Sequence, residues 1–586
     1  MKLLRNICSF IIIITLAGCG LSKMSTKYNT TTFTVTPSVL EVHAGQVNLK
    51  LDAKFPPKYF AKKAVVKFTP VLVYEGGETS FKTITINGEK ATGGKKTIFY
   101  EKGGGFTYSD VIKYSNNMMN SKLELRAVAT TRRSEESLDA IVSSLSQSNQ
   151  EKILGPITLA NGVISTSNRV VNSEDIAIAD HGYEKETILS ESAIVYFLVN
   201  QSNIRTTEKS KDAVQKLKEF ASKGNKTSSI EITSYASPEG TVDINDNVSE
   251  RRMKSTLRYT KWLMKKVGLD GATNTALYSQ ASIGEDWDGF NKLLRTSEIE
   301  DKRRINRIVN SVEDLEKREQ AIRDMSELYD AIEKDILPQL RKAKITVRSY
   351  APKKTDEEIS ELCNSTFRNK GQINAADILE LDINEALYGV SLEIKHSPGN
   401  HELILAMYEN ISLLYNDWRG YNNIACHYLS NNDITKAKEY LQKAEDIGGT
   451  QNAIEINKGI ISSWNGDLDN AQTLFNNGNA SERNQAILNI RKGEYEKAAR
   501  FFKNNNSYNA TLAKVLNGNT NVSCNESTAY AYYLNAIIGA RNNNENTVIT
   551  NLKKAIIEDP NYKKEATKDL EFRNYFNSPS FQQLIN

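Results

Sequence analysis

Asp433-Ile434-Thr435-Lys436-Ala437 is the stretch that decides the fold of the C-terminal part of this chain, because it recurs. Asp467-Leu468-Asp469-Asn470-Ala471 repeats it 34 positions later, and Glu494-Tyr495-Glu496-Lys497-Ala498 repeats it again after a shorter interval of 27. A fixed period of this length indicates helical units that each bury a face only against their neighbours. The sequence therefore predicts an all-helical solenoid over residues 400–586 with a concave surface left free.

Two further stretches fit the same helical pattern. Asn422-Asn423-Ile424-Ala425-Cys426-His427-Tyr428 looks like the first helix of a pair, and Leu552–Pro560 looks like the end of another. The period of 34 is that of tetratricopeptide repeats, which this region resembles over about a third of the chain. That resemblance implies a surface for protein partners. We interpret Cys426 and His427 as packing residues rather than metal ligands, because no further ligand is near in the sequence.

Residues 31–172 have the pattern of strands. Val47, Leu49 and Leu51 alternate with polar residues, which is the period of a strand with one buried face. Prolines and glycine clusters separate the strand-like runs. We expect an antiparallel β-sandwich of roughly immunoglobulin size. Residues 133–151, rich in Ser, Glu and Gln, predict a solvated helix or linker.

Residues 188–352 alternate between strand-like and helix-like segments and predict an α/β domain. Within it, residues 290–342 are charged, with apolar positions at helix spacing. They predict a helical insertion packed on the domain, with a dedicated partner-binding arm as the alternative. Residues 353–399 are expected to be a linker or helical connection to the repeats.

The N-terminus carries the pattern of an export signal. Lys2 and Arg5 precede a short apolar run, and Leu16-Ala17-Gly18-Cys19 follows it. The run is too short to span a bilayer as a helix. We expect residues 1–18 to be a signal peptide and residues 19–30 to be a linker. Because Cys19 follows small residues, the signal resembles a bacterial lipobox and implies lipidation of Cys19. The alternative is an ordinary cleaved signal.

Composition and motifs argue against several classes of function. With 75 basic and 71 acidic residues, the charge gives no reason to expect nucleic-acid binding. The histidines are scattered, and no metal-ligand, nucleotide-binding or hydrolase motif is present, so we expect no metal, no cofactor and no enzymatic activity. After Cys19 no acidic residue follows at once. By resemblance to known lipoproteins, this favours an outer-membrane anchor that faces the periplasm.

The stretch from Ser234 to Met253 resembles the OmpA C-terminal-like, peptidoglycan-associated family. Gly240, Asn245 and Val248-Ser249-Glu250-Arg251-Arg252-Met253 match that family's glycine, asparagine and Leu-Ser-x-x-Arg-Ala positions. The resemblance implies binding of the diaminopimelate of the cell-wall stem peptide, with Arg252 holding its carboxylate. The family's aspartate, which holds the ammonium group, is replaced here by Ser237.

Glu239, two residues after Ser237, is a candidate to replace the lost carboxylate, while the alternative makes Ser237–Gly240 a stiff loop. Two functions therefore stay open. The first is a lipoprotein that tethers the outer membrane to peptidoglycan and binds protein partners through its repeats. The second is a structural subunit of an outer-membrane assembly, secretion or surface-appendage complex whose wall site is lost. The combination of domains looks like a periplasmic lipoprotein of the Bacteroidetes.

Overall fold

The computed structural model describes residues 20–131, 151–368 and 380–586. The expected signal peptide, Cys19 and nearly all of the 133–151 segment lie outside the described residues. The chain forms two compact units. One unit extends to Asp180 and resumes at Ile411, and the other comprises His181–Asn410.

The N-terminal region is built from strands that form two sheets around one hydrophobic core. The strands are β1 Thr32–Thr36, β2 Leu40–His43, β3 Gln46–Phe55, β4 Val65–Tyr74, β5 Gly77–Ser80, β6 Ile84–Gly88, β7 Lys96–Ile98, β8 Gly104–Lys113, β9 Ser121–Thr130, β10 Glu151–Asn161 and β11 Val163–Ile164. One sheet has the order β1-β3-β2-β11 with β8 on β3, and the other β10-β9-β4-β6-β7 with β5 on β4. Along β3 the buried residues alternate, as the sequence pattern predicts.

Three expectations for this region differ from the structure. The sheets are not wholly antiparallel, because β11 pairs with β2 and β7 with β6 in parallel. The described part of the expected 19–30 linker, residues 20–30, is not free: residues 20–26 are helical, and Leu21 and Met24 are fully buried in the core. The strands end at Ile164 rather than near residue 172, because the chain beyond is held by the repeats.

The second unit contains a four-stranded sheet in the order β12-β15-β13-β14. Its elements are β12 Ile188–Tyr196, α1 Thr206–Lys209, α2 Asp212–Ala221, β13 Thr227–Ala236, α3 Val242–Val267, β14 Tyr278–Glu285 and β15 Lys342–Tyr350. β13 pairs in parallel with β14 and antiparallel with β15. Ile230, Ile232, Ile345 and Val347 are fully buried in its core. This is the α/β pattern that the sequence predicts for residues 188–352.

Helices fill the chain between β14 and β15. They are α4 Trp287–Thr296, α5 Lys302–Ser311, α6 Leu315–Arg323, α7 Ser326–Asp335 and α8 Leu337–Leu340. Phe290, Ile305, Ile332 and Leu340 are buried in a separate cluster, so the insertion has its own hydrophobic core. Two further helices follow β15, α9 Asp356–Phe367 and α10 Ile383–His396.

The remaining chain is helical. Its helices are α11 His401–Tyr415, α12 Trp418–Ser430, α13 Ile434–Gly448, α14 Asn452–Trp464, α15 Leu468–Asn477, α16 Glu482–Arg491, α17 Tyr495–Phe501, α18 Tyr508–Leu516, α19 Ala529–Arg541, α20 Glu545–Glu558, α21 Asn561–Ala566 and α22 Pro579–Ile585. Packed helix pairs recur as α12 with α13, α14 with α15, α16 with α17, and α19 with α20. The structure therefore joins a β-rich N-terminal region to an all-helical, tetratricopeptide-like C-terminal region.

The recurring five-residue stretch lies at the turn between the two helices of a pair, where its first residue immediately precedes the second helix. Asp433 and Asp467 are N-caps whose side chains accept the backbone N–H of Lys436 and Asn470. The alanine of each stretch, such as Ala437, is fully buried. At Gly459 in α14 a Cβ would lie 2.5 Å from Phe475 of α15, so this pair approaches closely only because glycine stands there.

Candidate binding site

The groove of the repeats holds an extended segment of the same chain. Residues 169–180 form neither helix nor strand, and four asparagines contact their backbone. Each asparagine accepts one backbone N–H and donates to the C=O of the same residue, at N···O distances of 2.6–3.1 Å. The pairs are Asn509 with Val171, Asn484 with Asp175, Asn457 with Ala177, and Asn423 with Ala179. We call these four residues the asparagine ladder.

The ladder is a product of the repeat itself. Asn423, Asn457 and Asn484 each lie ten residues before the residue that begins the recurring stretch, Asp433, Asp467 or Glu494. All three belong to the first helix of a pair. Successive repeats therefore present the same amide along one surface, and the bound segment runs opposite to the order of the repeats.

Ladder contacts fall on alternate residues of the segment's second half, because an extended chain turns successive residues to opposite sides. Ala177 receives further contacts: its C=O also accepts from Asn422 at 3.0 Å and from the Cys426 thiol at 3.2 Å. Burial raises the pKa of the Cys426 thiol to about 12, so it remains a neutral donor. Its neighbour Asn457 is fully buried.

Side chains of the groove bind the acidic residues of the segment. The side chain of Glu174 is 0% exposed; it accepts from Trp464 Nε1 at 2.9 Å and from Arg491 at 3.2 Å. Asp175 accepts a hydrogen bond from the Ser481 hydroxyl at 2.7 Å and lies 3.7 Å from Arg483 Nε. The groove thus combines backbone contacts with a cationic and N–H-rich pocket for a carboxylate.

The start of the segment is fixed by a buried ion pair. Arg169 lies 2.7 Å from Glu565 and 2.8 Å from Asp569, and its guanidinium sits 4.4 Å from the centre of the Tyr533 ring. Burial lowers the pKa of this guanidinium, but Tyr533 and the two carboxylates outweigh that effect, so the pKa of Arg169 is raised. Arg169 is therefore a charged anchor.

The β-rich region and the repeats also touch directly within their unit. His43 Nδ1 lies 2.9 Å from the Tyr495 hydroxyl. The Thr166 hydroxyl donates to Glu571, and Glu571 also accepts from Arg541. These contacts, together with the ladder, join the two regions of this unit.

The predicted wall-binding residues lie in the loop after β13 and in α3, where internal partners already hold them. Arg252 is 1% exposed and donates to the carbonyls of Leu198, Gln201 and Tyr235 at 2.9–3.2 Å. Burial, with Arg341 nearby, lowers its pKa to about 10. Its guanidinium holds backbone loops together, a role that the sequence pattern did not reveal.

The other candidates form a polar network around this loop. Glu239 accepts two hydrogen bonds from Arg341, both at 2.7 Å, and one from the Ser237 hydroxyl at 2.6 Å. Asn245 donates to the C=O of Gly240 and to Glu285. The loop thus brings Ser237, Glu239, Gly240 and Asn245 close to one another, but the carboxylate of Glu239 is neutralised by Arg341. Sequence reasoning missed this partner, which lies 102 positions away.

Sequence reasoning also missed the ladder, although a signal was present. The asparagines at 423, 457 and 484 each precede the recurring stretch by the same ten residues.

Among the described residues, no cluster of His, Cys, Asp or Glu could hold a metal ion, and no helix is long and apolar enough to cross a membrane. Cys19 lies outside the described residues.

These elements define a class: a β-rich, α/β and helical-repeat protein whose repeats hold an extended peptide. No protein-family model and no curated protein matches the chain. Among solved structures, it is similar to the Cut9–Hcn1 hetero-tetramer of the APC/C, at 14% identity over 59% of this chain and 77% of that chain, with a TM-score of 0.20. The assignment of helical repeats rests on the helix pairs themselves.

Proposed function

We propose that this chain is a non-enzymatic scaffold that is held at the periplasmic face of the outer membrane by a lipid on Cys19. One observation carries the scaffold function: the repeats bind an extended segment of their own chain through its backbone, in the way that protein-interaction modules bind peptides. The anchor is supported by the sequence around Cys19.

Cys19→Ser tests the anchor. The unaltered chain should incorporate labelled palmitate in a bacterial host and fractionate with the outer membrane, whereas the variant should do neither. Cys363→Ser is the matched control, because Cys363 is buried and should not affect labelling. Equal labelling of the unaltered chain and the Cys19 variant would contradict the lipid anchor.

For the α/β region we favour loss of peptidoglycan binding over a working tether. The ion pair between Glu239 and Arg341 supports this choice, because the Glu239 carboxylate already has a cationic partner that a ligand's ammonium group would have to displace. Loss of binding is also supported by Arg252, whose guanidinium already donates to three backbone carbonyls of this chain. The tether stays a prediction that direct binding decides.

A pull-down with isolated sacculi is that measurement. We expect the unaltered chain to stay in the supernatant. Arg341→Ala removes the cationic partner of Glu239, and sedimentation of this variant with sacculi would show that the freed carboxylate can bind a ligand. Arg251→Ala is the control for Arg252→Ala, since Arg251 is exposed on the helix that also carries Arg252. Sedimentation of the unaltered chain with sacculi, reduced by Arg252→Ala, would establish the tether instead.

A further inference from the structure

We propose that the groove of the asparagine ladder is a binding site for an extended acidic segment of a partner protein, and that residues 169–180 are a built-in competitor that masks it. The proposal rests on the scaffold function proposed above and names the chemistry of its partner. The partner's segment carries a glutamate where Glu174 now lies and small residues where Ala177 and Ala179 lie.

The backbone contacts of the ladder do not depend on the side chains of its occupant. Each amide binds the N–H and C=O of one residue, which every residue except proline presents, and Asn509 also donates to the Ser173 hydroxyl at 2.9 Å. An extended chain of another sequence can therefore make the same eight hydrogen bonds. Main-chain pairing of this kind supplies affinity, and pockets for alternate side chains supply specificity.

Specificity in this groove comes from the pocket around Glu174. Trp464 and Arg491 donate to a carboxylate whose side chain is fully shielded from solvent. A lysine or arginine at that place would bring a second cation against Arg491. At Ala177 and Ala179 the ladder amides and Cys426 approach the backbone, which favours small side chains there.

The present occupant is held by polar contacts together with partly buried apolar side chains. Val170, Val171 and Ile176 pack against hydrophobic clusters of the repeats, whereas Ile178 is 70% exposed. Hydrogen bonds can be exchanged one by one for those of another peptide, and apolar residues at the positions of Val170, Val171 and Ile176 would pack in the same way.

Connection to the chain gives the segment its advantage over a partner. A tethered ligand competes at an effective concentration in the range of mM, so a free peptide binds poorly until the segment's own contacts are weakened. The tethered segment and a free peptide therefore compete for one groove, and weakening the segment's contacts should raise the measured affinity for the peptide.

Ala177→Pro combined with Ala179→Pro in the full chain is the variant that unmasks the groove. Proline removes the N–H groups that donate to Asn457 and Asn423, and its φ suits an extended chain. Ile178→Pro is the matched control: it adds the same stiffness at a residue outside the ladder. The probe is a fluorescent peptide with the sequence of residues 169–180, and its affinity is measured by anisotropy.

We expect the double-proline variant to bind the probe about tenfold more tightly than the unaltered chain or the Ile178→Pro control. Binding should be lost when Asn457→Ala and Asn484→Ala are added, and a probe with lysine at the Glu174 position should bind weakly. Equal affinity in the unmasked and unaltered chains, with both folded by circular dichroism, overturns the proposal. That result would not bear on the proposed lipid anchor, which the fractionation of Cys19→Ser tests separately.

Hydrogen exchange on the unaltered chain decides the question if the double-proline variant does not fold. The amides of Ala177 and Ala179 should exchange through local opening, faster than the amides of fully buried Ile460 in α14. Exchange of all three only at the rate of global unfolding would make the segment a permanent part of the fold and overturn the masking.

Discussion

Asn457 binds both backbone groups of Ala177, accepting its N–H and donating to its C=O at 2.9 Å in each case. The two residues lie 280 positions apart, and Asn457 is fully buried. The same relationship recurs at Asn423, Asn484 and Asn509, so a repeated geometry of the helices holds a chain segment that comes from before the second unit.

Asn457→Ala should destabilise the unit that contains the repeats by about 2–3 kcal/mol, because it removes both hydrogen bonds to Ala177 and those to Asn422 and Cys426, and leaves buried groups without partners. Asn465→Ala, at an exposed asparagine after the same helix, should cost less than about 0.5 kcal/mol. Chemical denaturation followed by circular dichroism measures both. Equal losses of unfolding free energy in the two variants would mean that water replaces the hydrogen bonds of Asn457 at no cost in stability.

Arg169→Met should cost about 3 kcal/mol, since it leaves the carboxylate of Asp569 buried without its cation. The comparable change at Lys317, whose pair with Asp314 is exposed, should be nearly silent. In a double-mutant cycle with Asp569→Asn, the two losses should be far from additive. Additivity would show that the ion pair contributes nothing.

Arg252→Lys should destabilise the second unit by about 2–4 kcal/mol, because a lysine cannot place three directed N–H groups on the carbonyls of Leu198, Gln201 and Tyr235. Arg251→Lys, one residue away and exposed, is the control and should leave the unfolding midpoint unchanged. A large effect of the control with a small effect of Arg252→Lys would contradict the structural role.

Ser237→Asp places a second carboxylate next to Glu239 at a site where the serine is 2% exposed. We expect a loss of about 1–3 kcal/mol at pH 8, from like-charge repulsion and lost hydrogen bonding. The variant's deficit should shrink as the pH falls towards 4, because protonation removes the repulsion. Thermal melts over this pH range test the sign, and a deficit that grows on acidification would contradict it.

Cys426 should resist alkylation by iodoacetamide at pH 8, because burial raises the pKa of its thiol to about 12 and little thiolate is present. The same shift should weaken the fold as the pH rises from about 9 to 12, since the unfolded thiol ionises first. Mass spectrometry identifies the labelled cysteine. Fast labelling of Cys426 in the folded chain would show that the groove is open.

Local sequence patterns account for most of the elements. The alternation of Val47, Leu49 and Leu51 predicts β3, and the recurring stretch beginning at Asp433 predicts the helix pairs, because strand period and helix capping are local properties. The boundaries were less accurate at residues 19–30, where Leu21 and Met24 pack into a distant core.

The candidate sites depended on tertiary structure much more strongly. The motif match placed Arg252 near a binding loop, but its partners are carbonyls up to 54 positions away. The offset of Asn423, Asn457 and Asn484 was present in the sequence, yet it gained meaning only from the segment that they hold.

The sequence by itself determined the strands, the helix pairs and the period of the repeats, because hydrophobic spacing and caps act between residues close along the chain. Only the tertiary structure decided that the concave groove is filled and that Glu239 is neutralised. Both depend on partners brought together from distant positions, Ala177 with Asn457 and Glu239 with Arg341, and no local pattern encodes such contacts.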